Sequence, residues 1–143
     1  MTSDETRALI DQFVHAWRRQ DEKALSACYA DGCQVVSPIF HTLNGRVQVE
    51  QSYADLFRAF AHQTVNVDDI VIGSDEPTRS VLVCTLRSTH VGEIFGMPPT
   101  GKRIDRTVVY IHTMADGKIS REVRIYDFTS MLVQLGVLRV KAG

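Results

Sequence analysis

Asp127 is the acid around which a chemical reading of this chain forms. It ends a strand-like run, Lys118 to Asp127, and the run before it, Lys102 to Met114, carries Arg106, Tyr110 and His112 at even spacing. Asp116-Gly117 stands between the two, and Asp-Gly between alternating runs is a strong local signal for a β-hairpin. With a two-residue turn, Ala115 opposes Lys118 and opposed residue numbers add to 233. Opposed residues share a face. Asp127 then faces with Arg106, Val108, Tyr110, His112 and Met114, and on its own strand with Arg121, Val123 and Ile125. The other face receives Thr107, Val109, Ile111, Thr113, Ser120, Glu122, Arg124 and Tyr126. A face that is apolar in the middle, with a few converging polar groups, has the composition of a ligand cavity. A carboxyl group buried there has a raised pKa unless Arg106 pairs with it. A partly protonated aspartate serves as general acid and base near neutral pH. The competing structural reading is that Asp127 caps the final helix at Ser130 or pairs with Arg106. One β-bulge would invert part of the assignment.

The elements that must position these groups follow from the pattern upstream. Thr2 and Glu5 fit a capping box, and Leu9, Ile10, Phe13, Val14 and Trp17 recur at helical spacing after them. Asp21 can cap a second, short helix that buries Ala24, Leu25 and Cys28. Asp31-Gly32 is a turn signal, and Cys33 to Ser37 reads as a short strand stopped by Pro38. A loop over 39–44 leads to a third helix from Arg46 to about His62. From Thr64 the texture becomes β-rich, with strands predicted through Ile72, from Ser80 to Gly92 and across the hairpin. Pro98-Pro99 marks a loop before the hairpin. A short helix over 130–135 ends at Gly136, a good C-cap. Helices first and antiparallel strands second predict an α+β fold in one domain, 1–143. Three N-terminal helices pack in the concave face of a curved, mostly antiparallel sheet, with a short C-terminal helix. The open end of such a cone is a natural small-molecule pocket.

Composition excludes several classes of function. The 143 residues carry a net charge of −1 and no Lys/Arg run, so nothing draws the chain to nucleic acid or an acidic membrane. No apolar stretch approaches the ~20 residues of a membrane span, and the opening Met1-Thr2-Ser3-Asp4-Glu5 does not read as a signal peptide. Cys28, Cys33 and Cys84 are odd in number and unpaired in spacing, which fits buried free thiols in a reducing, cytoplasmic setting. No His, Cys, Asp or Glu spacing is of the metal-binding kind, and Gly96-Met97-Pro98-Pro99 is a rigid turn rather than a phosphate loop. Trp17 and Tyr53 are the aromatic residues placed to line the cone. Ser37, just before Pro38, is a candidate polar contact.

The chain resembles the SnoaL-like polyketide cyclases, within the cone-shaped folds shared with nuclear transport factor two and ketosteroid isomerase. The matching residues are His90-Val91-Gly92, Gly96-Met97-Pro98-Pro99-Thr100-Gly101, Asp116-Gly117-Lys118-Ile119, Asp127-Phe128 and Gln134-Leu135-Gly136. They come in the family's order and at about its spacing. The resemblance implies closure of a polyketide ring by intramolecular aldol condensation, with no metal and no cofactor, and a homodimer. It implies a small hydrophobic or aromatic ligand, with the family's acid/base aspartate falling on Asp127. The family's pocket histidine falls at Tyr110, and His112 lies two residues on with the same facing. Arg106 and His90 join the candidate substrate contacts. Isomerisation, dehydration, epoxide opening and non-catalytic ligand binding use the same cone.

Overall fold

The computed structural model describes residues 1–39, 41–139 and 141. In chain order it runs α1 (Ser3–Arg18), α2 (Glu22–Ser26), β1 (Tyr29–Val36), β2 (Leu43–Asn44), α3 (Arg46–Ala59), β3 (Phe60–Ile72), β4 (Thr78–His90), β5 (Arg103–Ala115), β6 (Lys118–Ile125) and α4 (Phe128–Gln134). The strands form one six-stranded sheet in the order β2-β1-β6-β5-β4-β3. Only the β1–β6 pair is parallel; the other pairs are antiparallel. The predicted α+β architecture is the observed one.

The capping box forms as its residues dictate. The Glu5 amide donates to Thr2 Oγ1 at 3.1 Å, and the Thr2 amide to Glu5 Oε2 at 2.8 Å. The apolar stripe of α1 (Leu9, Ile10, Phe13, Val14, Trp17) is buried against the sheet. Asp21 caps α2 through the Ala24 amide at 3.0 Å. Each departure from expectation has a local cause. α3 stops at Ala59, before His62, because Phe60 already has strand dihedrals and pairs with His90. β1 begins at Tyr29 and absorbs the Asp31-Gly32 signal, with its register against β6 shifting between Tyr29 and Gln34. The loop before α3 contains β2, two residues paired with Val35 and Gln34. α4 starts at Phe128 because Asp127, not Ser130, is its cap.

Gly92 joins the two halves of the molecule. Its amide donates to the Ala59 carbonyl at 3.1 Å, so the end of β4 lies directly on the end of α3. A Cβ at this position would overlap the Arg58 carbonyl oxygen and sit 3.2 Å from Ala59 Cα. Gly92→Ala is therefore expected to destabilise the fold by about 1–3 kcal/mol, the usual cost of overpacking against backbone. Urea unfolding checks this, and an unchanged midpoint would contradict it.

Candidate active site

β5 presents the residues expected of it. Val108, Tyr110, His112 and Met114 are buried and Arg106 is partly buried. Phe13 of α1 packs edge-on to both Tyr110 and His112, with ring centroids 5.1 Å away in each case.

β6 departs from the expected register. Ala115 opposes Lys118 and Met114 opposes Ile119, but Thr113 opposes Arg121, so Ser120 is an extra residue. Its hydroxyl donates to the Thr113 carbonyl at 3.0 Å. Beyond this bulge every side chain of β6 changes face. Glu122 and Arg124 point inward and are buried, and Tyr126 follows them. Arg121 and Ile125 are exposed. Asp127 is carried out with them: it is exposed, and its carboxylate accepts the Ser130 amide at 2.9 Å as the N-cap of α4. The inward facing expected for Asp127, Arg121, Val123 and Ile125 is corrected by this one inserted residue.

The carboxylate inside the cone is Glu122. Its Oε1 accepts from the Tyr29 hydroxyl at 2.7 Å and lies 2.7 Å from His112 Nε2, while Oε2 accepts from Arg124 Nε at 2.6 Å. Arg124 also donates to the Tyr53 hydroxyl at 3.0 Å and lies 5.0 Å from the Tyr53 ring centroid. The Tyr29 and Tyr53 hydroxyls are 2.6 Å apart. Burial alone pushes the Glu122 carboxyl up. The Arg124 charge, His112 and the Tyr29 hydroxyl outweigh it and bring the pKa down to about 2. Burial raises Tyr29, Tyr53 and Tyr110 and so keeps these phenols neutral. Arg124 is held as a cation, since the surrounding phenols and Glu122 outweigh its desolvation.

Above this cluster lies a cavity of about 10 Å³ bordered by Trp17, Val108, Tyr110, Arg124, Tyr126 and Arg106. Arg106 stacks over Tyr126, 5.4 Å from the ring centroid, and donates to Met131 Sδ at 3.6 Å. Among the described residues no carboxylate pairs with it. Burial lowers its pKa. Arg106 also borders a second hollow of about 300 Å³, which it shares with Asp105, Thr107, Asp127 and Ser130. Asp105 and Thr107 stand on the face of β5 opposite Tyr110 and His112, so this hollow and Asp127 lie outside the cone.

The remaining predicted residues divide. Trp17 and Tyr53 belong to the interior, their rings edge-on at 5.4 Å. Ser37 lies behind the site, its hydroxyl 3.4 Å from that of Tyr126. His112 reaches the site only through Glu122. His90 is buried elsewhere: its Nδ1 accepts the Thr100 amide at 3.2 Å and lies 3.0 Å from Thr100 Oγ1, fastening the Pro98-Pro99 loop. Its Nε2 is buried without a partner among the described residues. Strict alternation puts Glu122, Arg124 and Tyr126 on the other face and only the bulge brings them inside, while Tyr29 on β1 joins the site through Glu122, 93 positions away. The three cysteines are buried, and desolvation pushes Cys28 to about 11 and Cys84 to about 12, as in inert thiols. Among the described residues no three His, Cys, Asp or Glu converge as a metal site, and no helix is long and apolar enough to cross a membrane.

A curved sheet folded over three helices, with a polar cluster at its centre, defines an α+β cone. The family model for SnoaL-like polyketide cyclases matches residues 7–135, and the chain belongs to that family. Solved structures agree with the fold. TsrD from Streptomyces laurentii superposes with a TM-score of 0.83 at 21% identity, covering 96% of this chain and 99% of that one. AclR from Streptomyces galilaeus, a candidate hydroxylase, gives 0.81 at 25% identity, with 97% and 89% covered. IdmH from Streptomyces antibioticus, a candidate polyketide cyclase, gives 0.74 at 26% identity, with 92% and 98% covered. No match is found among curated proteins.

Proposed function

We propose that this protein is an enzyme of the polyketide-cyclase type, acting on a hydrophobic, carbonyl-bearing small molecule by proton transfer between side chains and substrate. The observation that carries the reading is Arg106, a partly buried guanidinium without a carboxylate partner among the described residues, at the edge of a donor-rich interior. Asp127 is the base by elimination. Glu122 is already engaged by Arg124, Tyr29 and His112, and with a pKa of about 2 it has little appetite for a proton. Tyr110 is neutral at pH 7. In the proposed reaction Asp127 takes the proton from a carbon between two carbonyl groups. The electron pair moves onto oxygen, and Arg106 stabilises that enolate, with Tyr110 and Tyr126 lining the site. The enolate carbon then forms a bond to a second carbonyl carbon of the same molecule, and the new alkoxide recovers the proton from Asp127. Binding supplies proximity, which for well-oriented intramolecular reactions reaches effective molarities of ~10⁵ M and above.

The likeness to IdmH supports a cyclase and the likeness to AclR a different oxidation-level chemistry, so the reaction itself is the thing to assay. The purified protein is incubated with an anthraquinone-type polyketide methyl ester bearing the open side chain, and ring closure is followed by chromatography. Closure dependent on Asp127 is expected. Binding without closure would move the reaction to an isomerase or hydrolase on the same cone.

The same reading includes a homodimer through the convex sheet face. There Val81 pairs with Ile111 and Ile111 with Val123, while Val83 pairs with Val109 and Val109 with Ile125. Ile125 is 52% exposed. Such a contiguous apolar patch is a self-association surface. Sedimentation should show a dimer at micromolar concentration and a monomer for Ile111→Asp; a monomeric parent protein would remove this part of the proposal. The buried thiols favour a reducing cytoplasm.

A further inference from the structure

The interior is closed. The cavity beside Trp17, Arg106 and Tyr110 is about 10 Å³ and holds roughly one water. Pockets for small organic ligands run to ~300–1,000 Å³. The hollow of about 820 Å³ beside the Asp116 hairpin has neither Arg106 nor Tyr110 in its lining. A carbonyl-bearing molecule therefore reaches the inner polar groups only when an element over the cavity moves.

Two segments stand at that end of the cone, the 91–101 loop and α4. The loop is tied at both ends. The Val91 and Gly92 amides donate to the Ala59 carbonyl at 2.8 and 3.1 Å, and the Gly101 amide donates to the His90 carbonyl at 2.9 Å. The Thr100 amide is held on His90 Nδ1. α4 is tied less. It has seven residues, too few to keep helical shape unsupported. Its buried side chains are Met131, against Arg106, and Leu135 at the C-cap. Its Phe128 ring meets Phe95 of the loop edge-on at 6.2 Å.

The remaining fastening is Gln134. β6 ends at Ile125, opposite Val109, so β5 from Arg103 to Val108 has no strand on that side. The Asp105 amide and carbonyl face the gap, and the Gln134 carboxamide takes both. Its Oε1 accepts the Asp105 N–H at 2.7 Å, and its Nε2 donates to the Asp105 carbonyl at 2.7 Å. One side chain thus stands in for the missing strand. Both bonds are exposed to water, which can replace them at small net cost. Asp127 and Gly136 stand at the two ends of the segment, and Gly136, at φ 81°, turns the chain where other residues resist. The Gln134-Leu135-Gly136 run of the sequence thereby acquires physical roles: latch, buried contact and hinge.

We infer that α4 is a gate. Gln134 latches it to the Asp105 backbone, and its release opens the Met131 side of the cone to the ligand. This rests on the reading of the cone as a ligand site.

Two measurements test it. Hydrogen exchange needs no ligand. Gln134→Met keeps the length of the side chain and removes both bonds. In this variant the Met131 and Leu135 amides are expected to exchange about tenfold or more faster than in the parent protein, roughly the worth of two hydrogen bonds. The Tyr110 and His112 amides of β5 should exchange at the parent rate. Stopped-flow fluorescence then follows binding of methyl 1-hydroxy-2-naphthoate. Its association and dissociation rates should both rise about tenfold in the variant, with the dissociation constant within about threefold, as for a gate rather than a lost ligand contact. Circular dichroism checks the fold. Gln134→Glu, which sets a carboxylate oxygen against the Asp105 carbonyl, carries the same expectation where Gln134→Met does not fold. Unchanged amide exchange in a folded variant overturns the inference. Faster exchange with unchanged association also overturns it and leaves the ligand-site reading standing. No binding of the probe to the parent protein overturns both.

Discussion

Glu122→Gln is expected to lower the free energy of unfolding by about 3–5 kcal/mol, the range found when one partner of a buried ion pair is removed. Glutamine fills nearly the same volume, so the loss is not a cavity effect. The substitution leaves the Arg124 guanidinium buried with no counter-charge. It also turns an acceptor of three hydrogen bonds, from Tyr29, His112 and Arg124, into a group with one acceptor oxygen and an NH₂ that meets those donors head-on. For a chain of this length the melting temperature should fall by about 10 °C or more. A double variant separates the pair from its environment. Glu122→Leu with Arg124→Met should cost less than Glu122→Gln alone, because no buried charge is left unmatched. If Glu122→Gln melts within a degree or two of the parent protein, the cluster does not hold the cone together.

Acid should act on the same pair. The folded-state pKa of about 2 lies below the ordinary carboxylate value of 4.5. A depressed carboxylate contributes stability that is fully present above the unfolded-state pKa and lost as pH falls through the folded one. The Glu122 contribution, about 3 kcal/mol for a shift of this size, is therefore intact at pH 5 and above and disappears between about pH 4.5 and pH 2. Denaturant midpoints across this window should fall steeply for the parent protein and more gently for Glu122→Gln. Parallel curves would place the acid-sensitive group elsewhere.

The fold was legible because its signals are local. The Thr2–Glu5 capping box, the stripe from Leu9 to Trp17, the Asp116-Gly117 turn and Gly136 each specify an element within a few residues, and each stands where it was read. The face of β5 was legible for the same reason, since strict alternation from Met114 back to Arg106 meets no interruption. The face of β6 was not. Val123 and Ile125 would serve a core as well as Glu122 and Arg124 serve a polar cluster, so composition does not choose between the two faces. The choice is made by Ser120, whose extra residue is accommodated through a hydrogen bond to Thr113 across the hairpin. That is a tertiary preference: Glu122 goes inward because Tyr29 from β1, Tyr53 from α3 and His112 from β5 are there to satisfy it. Residues separated by up to 93 positions complete one cluster, and no window along the sequence contains them.

Asp127 has two roles that a pair of substitutions can separate. As a helix cap it accepts the Ser130 amide, and asparagine caps as well as aspartate does, whereas alanine loses about 1 kcal/mol. As an acid/base it needs an ionisable carboxyl, which both substitutions remove. Asp127→Asn is therefore expected to melt within a degree or two of the parent protein and to turn over about 10²–10⁴ times more slowly, the usual contribution of a positioned proton-transfer group. Asp127→Ala should lose as much rate and also melt a few degrees lower. The rate loss should fall on kcat more than on KM, because the carboxylate is assigned proton transfer and does not border the interior cavity. An Asp127→Asn variant that keeps its rate, with only Asp127→Ala impaired, would reduce Asp127 to a cap. The proton would then have to be taken by water, and Arg106 would carry the chemistry as an electrostatic group alone.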